Sequence, residues 1–299
     1  MTFPIQNQSA ASSFRWLLTG TSRHYSPLLA ILLILPLLIL LAVGFIYPVW
    51  RLIEISLSAA TTFEPYQRAF ENPLYVQVLL RTLSIATIVT IACFAIGYPT
   101  AYAIARMRGR RAKVAMACLF IPLWTSVLVR SYAWIVLLGR NGIVNNLLFD
   151  MGLISAPVKM LYTEGAVIVA MTHVLMPFMV LPIHSALRSV PDAYEQAARN
   201  LGAGQIVAFW RVTFPLSLPG VFAGCVICFI LAIGFYITPA LVGGPGALMM
   251  ATLIGQQTIV LLDWPFAAAL SAILLAATLL LVTAFRRALS FSKGLNSVH

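Results

Sequence analysis

The sequence predicts an all-α integral membrane protein with six transmembrane helices and both termini on the cytoplasmic side. Hydrophobic residues make up 61% of the 299-residue chain and charged residues only 9%, whereas soluble domains carry about a quarter charged residues. Six apolar runs are long enough to cross a bilayer, which takes roughly 20 residues. The Lys and Arg residues, which give a net charge of +11, fall mainly into alternate loops.

The predicted organisation is an N-terminal tail (1–27), a transmembrane region (28–287) and a C-terminal tail (288–299). The first apolar run is too long for the core of a signal peptide, and no small-residue cleavage site follows it, so we expect it to be retained. The six predicted spans are 28–50, 83–105, 114–138, 166–187, 219–237 and 265–285. A seventh apolar stretch, 247–262, is shorter and contains two glutamines, so we expect a re-entrant or interfacial segment.

The basic residues determine the predicted orientation. Four segments hold 13 of the 19 Lys and Arg residues, with 2 in 1–27, 5 in 106–113, 3 in 188–218 and 3 in 286–299. Cytoplasmic loops collect Lys and Arg, so these four segments are predicted to be cytoplasmic. A seventh span would place the basic C-terminal tail outside, which favours six.

The sequence contains no motif for catalysis or metal binding. A phosphate-binding G-x-x-x-x-G-K-[ST] loop and a zinc-binding H-E-x-x-H motif are both absent. No Asp or Glu lies within the six predicted spans, although proton- or sodium-coupled carriers and cation channels usually depend on such carboxylates. We therefore expect no enzyme activity, no metal and no cofactor on this chain, and lipid rather than nucleic acid around it. Energy for uphill transport would come from another chain.

A short amphipathic helix is predicted in the loop after the fourth span. Ser189 and Asp192 fit a capping pattern, Pro191 suits a first helical turn, and Gly202 supplies a left-handed stop. Apolar residues recur on one face at helical spacing: Tyr194, Ala197, Ala198 and Leu201. At about eleven residues the helix is too short to cross a bilayer. It is either a plain connector or a helix that docks in a groove of another protein.

This stretch resembles the EAA loop of permease subunits in ABC importers. The family pattern is EAA, three residues, Gly, nine residues, then I-x-L-P. Here QAA (196–198) precedes Gly202, and VTFP (212–215) follows at the full spacing. Gln196 stands where the family usually has Glu, which keeps the length and the hydrogen bonding of the side chain but removes its charge.

Three further stretches resemble the spermidine/putrescine type of permease: residues 97–109, 121–148 and 234–245. The resemblance covers about 28–287. It implies a type I ABC importer permease fold and a multi-pass location in the bacterial inner (plasma) membrane. It also implies two cytoplasmic ATPase subunits that carry ATP and Mg²⁺, a second permease subunit that is a homologous but different chain, and a periplasmic or extracellular solute-binding protein.

The resemblance also implies which residues couple the permease to the ATPase. In this sequence they are Tyr194, Gln196, Ala197, Ala198, Gly202 and Pro215.

A second set of residues is predicted to line the substrate pathway. Arg130 lies inside the third span, where an arginine is costly unless it snorkels to the interface or faces water or a partner. His173 in the fourth span either makes a helix–helix contact or faces a cavity. Thr238 and Pro239 either form a cavity wall or end the fifth span. The complete set is Trp124, Arg130, Tyr132, Trp134, His173, Phe235, Tyr236, Thr238 and Pro239.

The resemblance makes a polyamine the first expected cargo. However, many related permeases have an acidic residue where this chain has Phe235, and a dication needs carboxylates or aromatic faces. An opine, an amino-acid derivative or another small organic solute is therefore the alternative cargo. A stand-alone carrier or channel is the alternative from a different functional class.

Overall fold

The computed structural model describes residues 27–58 and 63–295 of the chain. Residues 1–26 of the predicted N-terminal tail and residues 296–299 of the C-terminal tail lie outside the described residues. The chain divides into two compact units, Met1–Arg51 and Leu52–His299.

The first unit contains one long apolar helix. It consists of α1 (Pro27–Leu41), a five-residue π-helical turn (Ala42–Ile46) and the beginning of α2 (Tyr47–Ser56). The run of leucine and isoleucine has good helix formers throughout, and Pro36 is accommodated within α1. This helix is the predicted first span.

The second unit is helical throughout its described regular structure. Its helices are α3 (Glu64–Glu71), α4 (Pro73–Arg106), α5 (Arg110–Trp124), α6 (Val127–Leu138), α7 (Ile143–Asp150), α8 (Glu164–Ser189), α9 (Asp192–Asn200), α10 (Gln205–Ala208), α11 (Phe214–Ile233), α12 (Met250–Ile259) and α13 (Trp264–Leu295). A π-helical turn (Phe209–Thr213) joins α10 to α11 without a break. Side-chain caps begin two of the long helices: Asn72 accepts from the backbone N–H of Leu74, and Thr163 from that of Ala166.

Six helical segments in the described residues are long and apolar enough to cross a membrane, as predicted. They are Ile31–Ser56, Pro73–Arg106, Val127–Asp150, Glu164–Ser189, Gln205–Ile233 and Trp264–Phe285. The fifth segment begins within the stretch predicted as a loop, because α10 and the π-helical turn continue into α11.

The predicted third span (114–138) is wrong, because it is two helices rather than one, and the third segment able to cross a membrane is Val127–Asp150 instead. Helix α5 ends at Trp124, Thr125 is extended, and α6 begins at Val127. The side chain of Ser126 accepts from the backbone N–H of Leu128 at 3.3 Å, which starts the new helix. Pro122 adds to the break because it donates no backbone hydrogen bond in the last turn of α5.

The core of the second unit is the packing of α4, α8 and α11. Val89, Met179 and Cys228, one from each helix, are fully buried. The pair Gly220 and Gly224 brings α11 close to α8. A Cβ at Gly220 would lie 2.5 Å from the carbonyl oxygen of Pro182, and a Cβ at Gly224 would lie 2.8 Å from Sδ of Met179. The G-x-x-x-G spacing therefore marks a close helix contact here, which we call the α8–α11 seam.

The predicted re-entrant stretch contains the short helix α12. Ten residues of helix rise about 15 Å, half of a hydrocarbon core. The helix packs on α13, and its first backbone N–H, that of Met250, donates to Oγ1 of Thr82 on α4 at 2.8 Å.

Candidate functional site

The candidate site is built on α9 and the turn that follows it. Helix α9 begins at Asp192, with Pro191 as its N-cap and no capping side chain. The predicted capping pattern is wrong, because Ser189 belongs to the end of α8 and its Oγ donates to the carbonyl of Ala186 at 2.7 Å. The predicted stop is confirmed: Gly202 has a φ of +88°, and the N–H of Ala203 donates to the carbonyl of Ala198 at 3.0 Å.

One face of α9 presents apolar residues that no other part of the described chain covers. Tyr194 is 54% exposed and Leu201 is 89% exposed, with Ala197 exposed between them. Of the other predicted coupling residues, Gln196 is exposed and Ala198 is half-buried. We call Tyr194, Ala197 and Leu201 the α9 surface. Uncovered large apolar residues rimmed by polar ones are typical of interaction sites.

The exposed apolar residues continue beyond the segment that the sequence motif indicates. Ile206 on α10 is 75% exposed, and Trp210 in the π-helical turn is 58% exposed. Neither was among the predicted coupling residues. Their signal in the sequence is a bulky apolar side chain in a loop assigned outside the membrane. Pro215 is the second residue of α11, directly after the π-helical turn.

The opposite side of α9 is attached to the end of α4 by charge. Glu195 accepts from the guanidinium of Arg106 through Oε2, and from that of Arg199 through Oε1 at 2.8 Å. The Glu195 side chain is only 16% exposed, and that of Arg106 is 46% exposed. No local sequence pattern indicates this contact, because Arg106 and Glu195 are 89 positions apart.

Aromatic rings extend this attachment into the bundle. The guanidinium of Arg106 lies 5.0 Å from the ring centroid of Tyr102, within cation–π range. The ring of Tyr102 meets that of Phe209 edge-on at 5.3 Å, and Phe209 meets Tyr98 at 5.9 Å. The hydroxyl of Tyr98 is 2.9 Å from Oγ of Ser217 on α11. The end of α4, helix α9 and the turn before α11 therefore meet at one place.

Three of the residues predicted to line a pathway lie around the break between α5 and α6. Nη1 of Arg130 donates to the carbonyl of Pro122 in the last turn of α5, where backbone carbonyls lack helical partners and a cation is stabilised. The Trp134 ring meets that of His173 edge-on at 5.9 Å, joining α6 to α8. His173 and Pro122 also line a groove of about 550 Å³ between α4, α5 and α8.

Trp124 is also at this break, as the last residue of α5, whereas the remaining predicted pathway residues are not gathered there. Trp124 is 90% exposed and Tyr132 is 58% exposed. Phe235 is half-buried. Tyr236 lies against α12, because a Cβ at Gly255 would be 2.5 Å from its ring.

Thr238 and Pro239 are both buried in the described part of the chain. Oγ1 of Thr238 lies 3.0 Å from Oγ of Ser131, within hydrogen-bond distance, so this segment packs against α6. Burial of a hydroxyl is tolerated where it has such a partner. No group of three or more His, Cys, Asp or Glu side chains that could hold a metal occurs in the described part of the chain.

Comparison with known proteins gives the same family over most of the chain. Residues 94–292 match the family described as binding-protein-dependent transport system inner membrane component. The chain is 38% identical over 227 residues to the spermidine/putrescine transport system permease protein PotB of Haemophilus influenzae, covering 76% of this chain and 79% of that protein. The corresponding protein of Escherichia coli is 36% identical over 210 residues, covering 70% and 76%.

A solved structure shares the fold at low sequence identity. A chain of a bacterial ABC transporter that imports the acidic polysaccharide alginate superposes with a TM-score of 0.73 at 20% identity. The match covers 87% of this chain and 95% of that one. This likeness concerns the fold alone.

Proposed function

The chain belongs to the family of binding-protein-dependent transport system inner membrane components, and we propose that it forms the pathway for a polyamine in an ABC importer. The proposal that the cargo is a polyamine rests on one observation: this chain is 36–38% identical, over 70–76% of its length, to permeases of spermidine/putrescine transport. The predicted type I ABC importer permease fold is confirmed by the family match and by the shared fold.

This chain forms part of the pathway and changes conformation during transport. Its partners hydrolyse ATP and determine most of the selectivity for the cargo. Two ATPase subunits bind ATP and Mg²⁺ at the cytoplasmic side, a second permease subunit completes the pathway, and a solute-binding protein delivers the cargo outside. The permease itself is non-catalytic. The excess of Lys and Arg in four segments supports cytoplasmic termini and a cytoplasmic α9.

The α9 surface is the proposed contact with the ATPase. Its exposed apolar residues Tyr194 and Leu201 have the character of a helix that inserts into a groove. The small side chain of Ala197 between them allows close approach. ATP binding closes the ATPase pair, α9 moves with it, and the spans change between inward-facing and outward-facing states.

The cargo would pass near the break between α5 and α6. Aromatic faces at this break, including Trp134, attract cations, which supports a polyamine. Phe235 in place of an acid and the guanidinium of Arg130 favour the second candidate cargo, an opine or amino-acid derivative with a carboxylate. Both candidates keep the same importer class.

Uptake into proteoliposomes tests the proposal. The chain is reconstituted with its cognate ATPase, partner permease and binding protein, and uptake of radiolabelled spermidine and putrescine is measured with ATP at the ATPase side. We expect ATP-dependent uptake that unlabelled polyamines compete away and that opines and amino acids do not. No uptake of either labelled polyamine, together with ATP-dependent uptake of a labelled opine or amino acid, would replace the polyamine with the second candidate. Uptake without any ATPase would refute the importer and indicate a stand-alone carrier or channel.

A further inference from the structure

The ion pair between α9 and α4 has a geometry suited to transmitting movement. Glu195 projects from the side of α9 that faces the bundle, and Arg106 is the last residue of α4. Helix α9 is otherwise continuous with the bundle through short connections, Val190–Pro191 on one side and 201–204 on the other. A charge-assisted contact adds a fixed point between these two connections.

The same carboxylate also makes a contact that cannot link two helices. Oε1 of Glu195 accepts from Arg199, four residues later on α9, whereas Oε2 accepts from Arg106 on α4. Both partners are arginines of similar exposure, at 44% and 46%. They differ in which helix they belong to, so they form a matched pair for experiment.

Arg106 is itself held by the bundle. Its guanidinium stacks on Tyr102 at 5.0 Å, and the ring of Tyr102 contacts Phe209 in the π-helical turn before α11 at 5.3 Å. π-Helical turns are often found at functional sites. A displacement of Glu195 would therefore reach α4 directly and α11 through two rings.

We propose that the Arg106–Glu195 pair is the joint through which movement of α9 reaches α4. Arg106 is then a positioning residue: it is needed for coupling ATP hydrolysis to transport, and it is not needed for docking of the ATPase. This inference rests on the proposed function, because it assumes that an ATPase moves α9.

The test compares Arg106→Ala with Arg199→Ala in the reconstituted importer. Three quantities are measured: ATPase that co-purifies, ATP hydrolysis without cargo, and cargo taken up per ATP hydrolysed. For Arg106→Ala we expect the first two to be unchanged and uptake per ATP to fall about fivefold or more, from the lower end of a typical coupling between sites upward. For Arg199→Ala we expect a change of less than about twofold, as for an exposed pair within one helix.

Exchanging the two charges distinguishes the effect of losing the ion pair from the effect of losing the arginine side chain. Arg106→Glu alone should reduce uptake per ATP at least as much as Arg106→Ala, and Arg106→Glu combined with Glu195→Arg should restore most of it. If Arg106→Ala does not assemble, Arg106→Met replaces it, since it removes the charge, keeps much of the length of the side chain and leaves the Glu195–Arg199 pair intact.

Several results would contradict the proposed role of the Arg106–Glu195 pair. They are wild-type coupling in the variant that breaks the pair, equal losses in the Arg106 and Arg199 variants, and no recovery in the charge exchange. Absence of ATP-dependent uptake in the unaltered importer is a different failure, since it refutes the proposed function instead.

Discussion

Glycines occupy opposite surroundings at the α8–α11 seam and at the end of α9. In the seam, a Cβ at Gly220 would meet backbone and side chain at 2.5 Å, whereas a Cβ at Gly202 or Gly204 would meet nothing within 4 Å. The seam is therefore complete within this chain, and its glycines are required because neighbouring atoms leave no room. The end of α9 has free space around its glycines. Which residues it accepts depends on the backbone conformation and, as we propose, on contact with a partner. Substitutions should accordingly damage the two regions in different ways.

The largest effect is expected for Gly220→Val in the seam. The added side chain collides with the carbonyl of Pro182 and with Cβ of Ala186, and a backbone group cannot rotate away. Overpacking of this kind costs about 3 kcal/mol or more. We expect a large loss of thermal stability in detergent, measured by unfolding with a thiol-reactive dye or by monodispersity.

Gly204→Ala is the matched control for the seam. Gly204 has open space and an ordinary φ of −66°, so its stability should equal that of the wild type. A stable, monodisperse Gly220→Val protein would show that α8 and α11 can separate, and the contrast between the two regions would fail.

A smaller effect on stability but a large one on coupling is expected for Gly202→Val. With a φ of +88°, the backbone at this position is unfavourable for a β-branched residue, so the end of α9 must rearrange. Membrane insertion should be retained and cargo-stimulated ATP hydrolysis lost. The control is Gly204→Val, two residues away with an ordinary φ. Equal coupling in both variants would show that the left-handed turn is not required.

The smallest effect is expected where Thr238 contacts Ser131. Removal of one hydroxyl from this buried pair, which is 3.0 Å apart, should cost about 1 kcal/mol. A double-mutant cycle of Thr238→Val and Ser131→Ala checks this by thermal unfolding, with uptake measured alongside. If the two hydroxyls interact, the losses in stability will not add. A strong loss of uptake at unchanged stability would instead indicate that Thr238 acts in the substrate pathway.

Local patterns in the sequence predicted the number of membrane-spanning segments and the left-handed stop at the end of α9. Long apolar runs determine spans because lipid leaves backbone groups no other partners. Gly202 marks the stop because few other residues adopt a positive φ. The family motif then indicated which exposed residues on α9 form a surface, although it did not extend to Ile206 and Trp210.

Features that depend on distant residues were not predictable in the same way. Helix α4 begins at Pro73, ten residues before the predicted span, because Asn72 caps it there. Arg81, which interrupts the apolar run, lies inside this helix and is paired with Glu164 at 3.0 Å. The break after Trp124 was hidden inside a continuous apolar run. The pairing of Arg106 with Glu195 joins two predicted cytoplasmic loops, and no local period relates them.

The most direct test of the account is cargo-stimulated ATP hydrolysis by the reconstituted importer carrying Ala197→Arg. Ala197 lies at the centre of the α9 surface and is exposed in the described part of the chain, so the variant should fold and insert normally. A long charged side chain at this position would block close approach of the ATPase, whereas Ala197→Ser keeps the small size and serves as the control. We predict that hydrolysis loses its response to the loaded binding protein in Ala197→Arg and keeps it in Ala197→Ser. An undiminished response in Ala197→Arg would contradict the assignment of α9 as the contact with the ATPase.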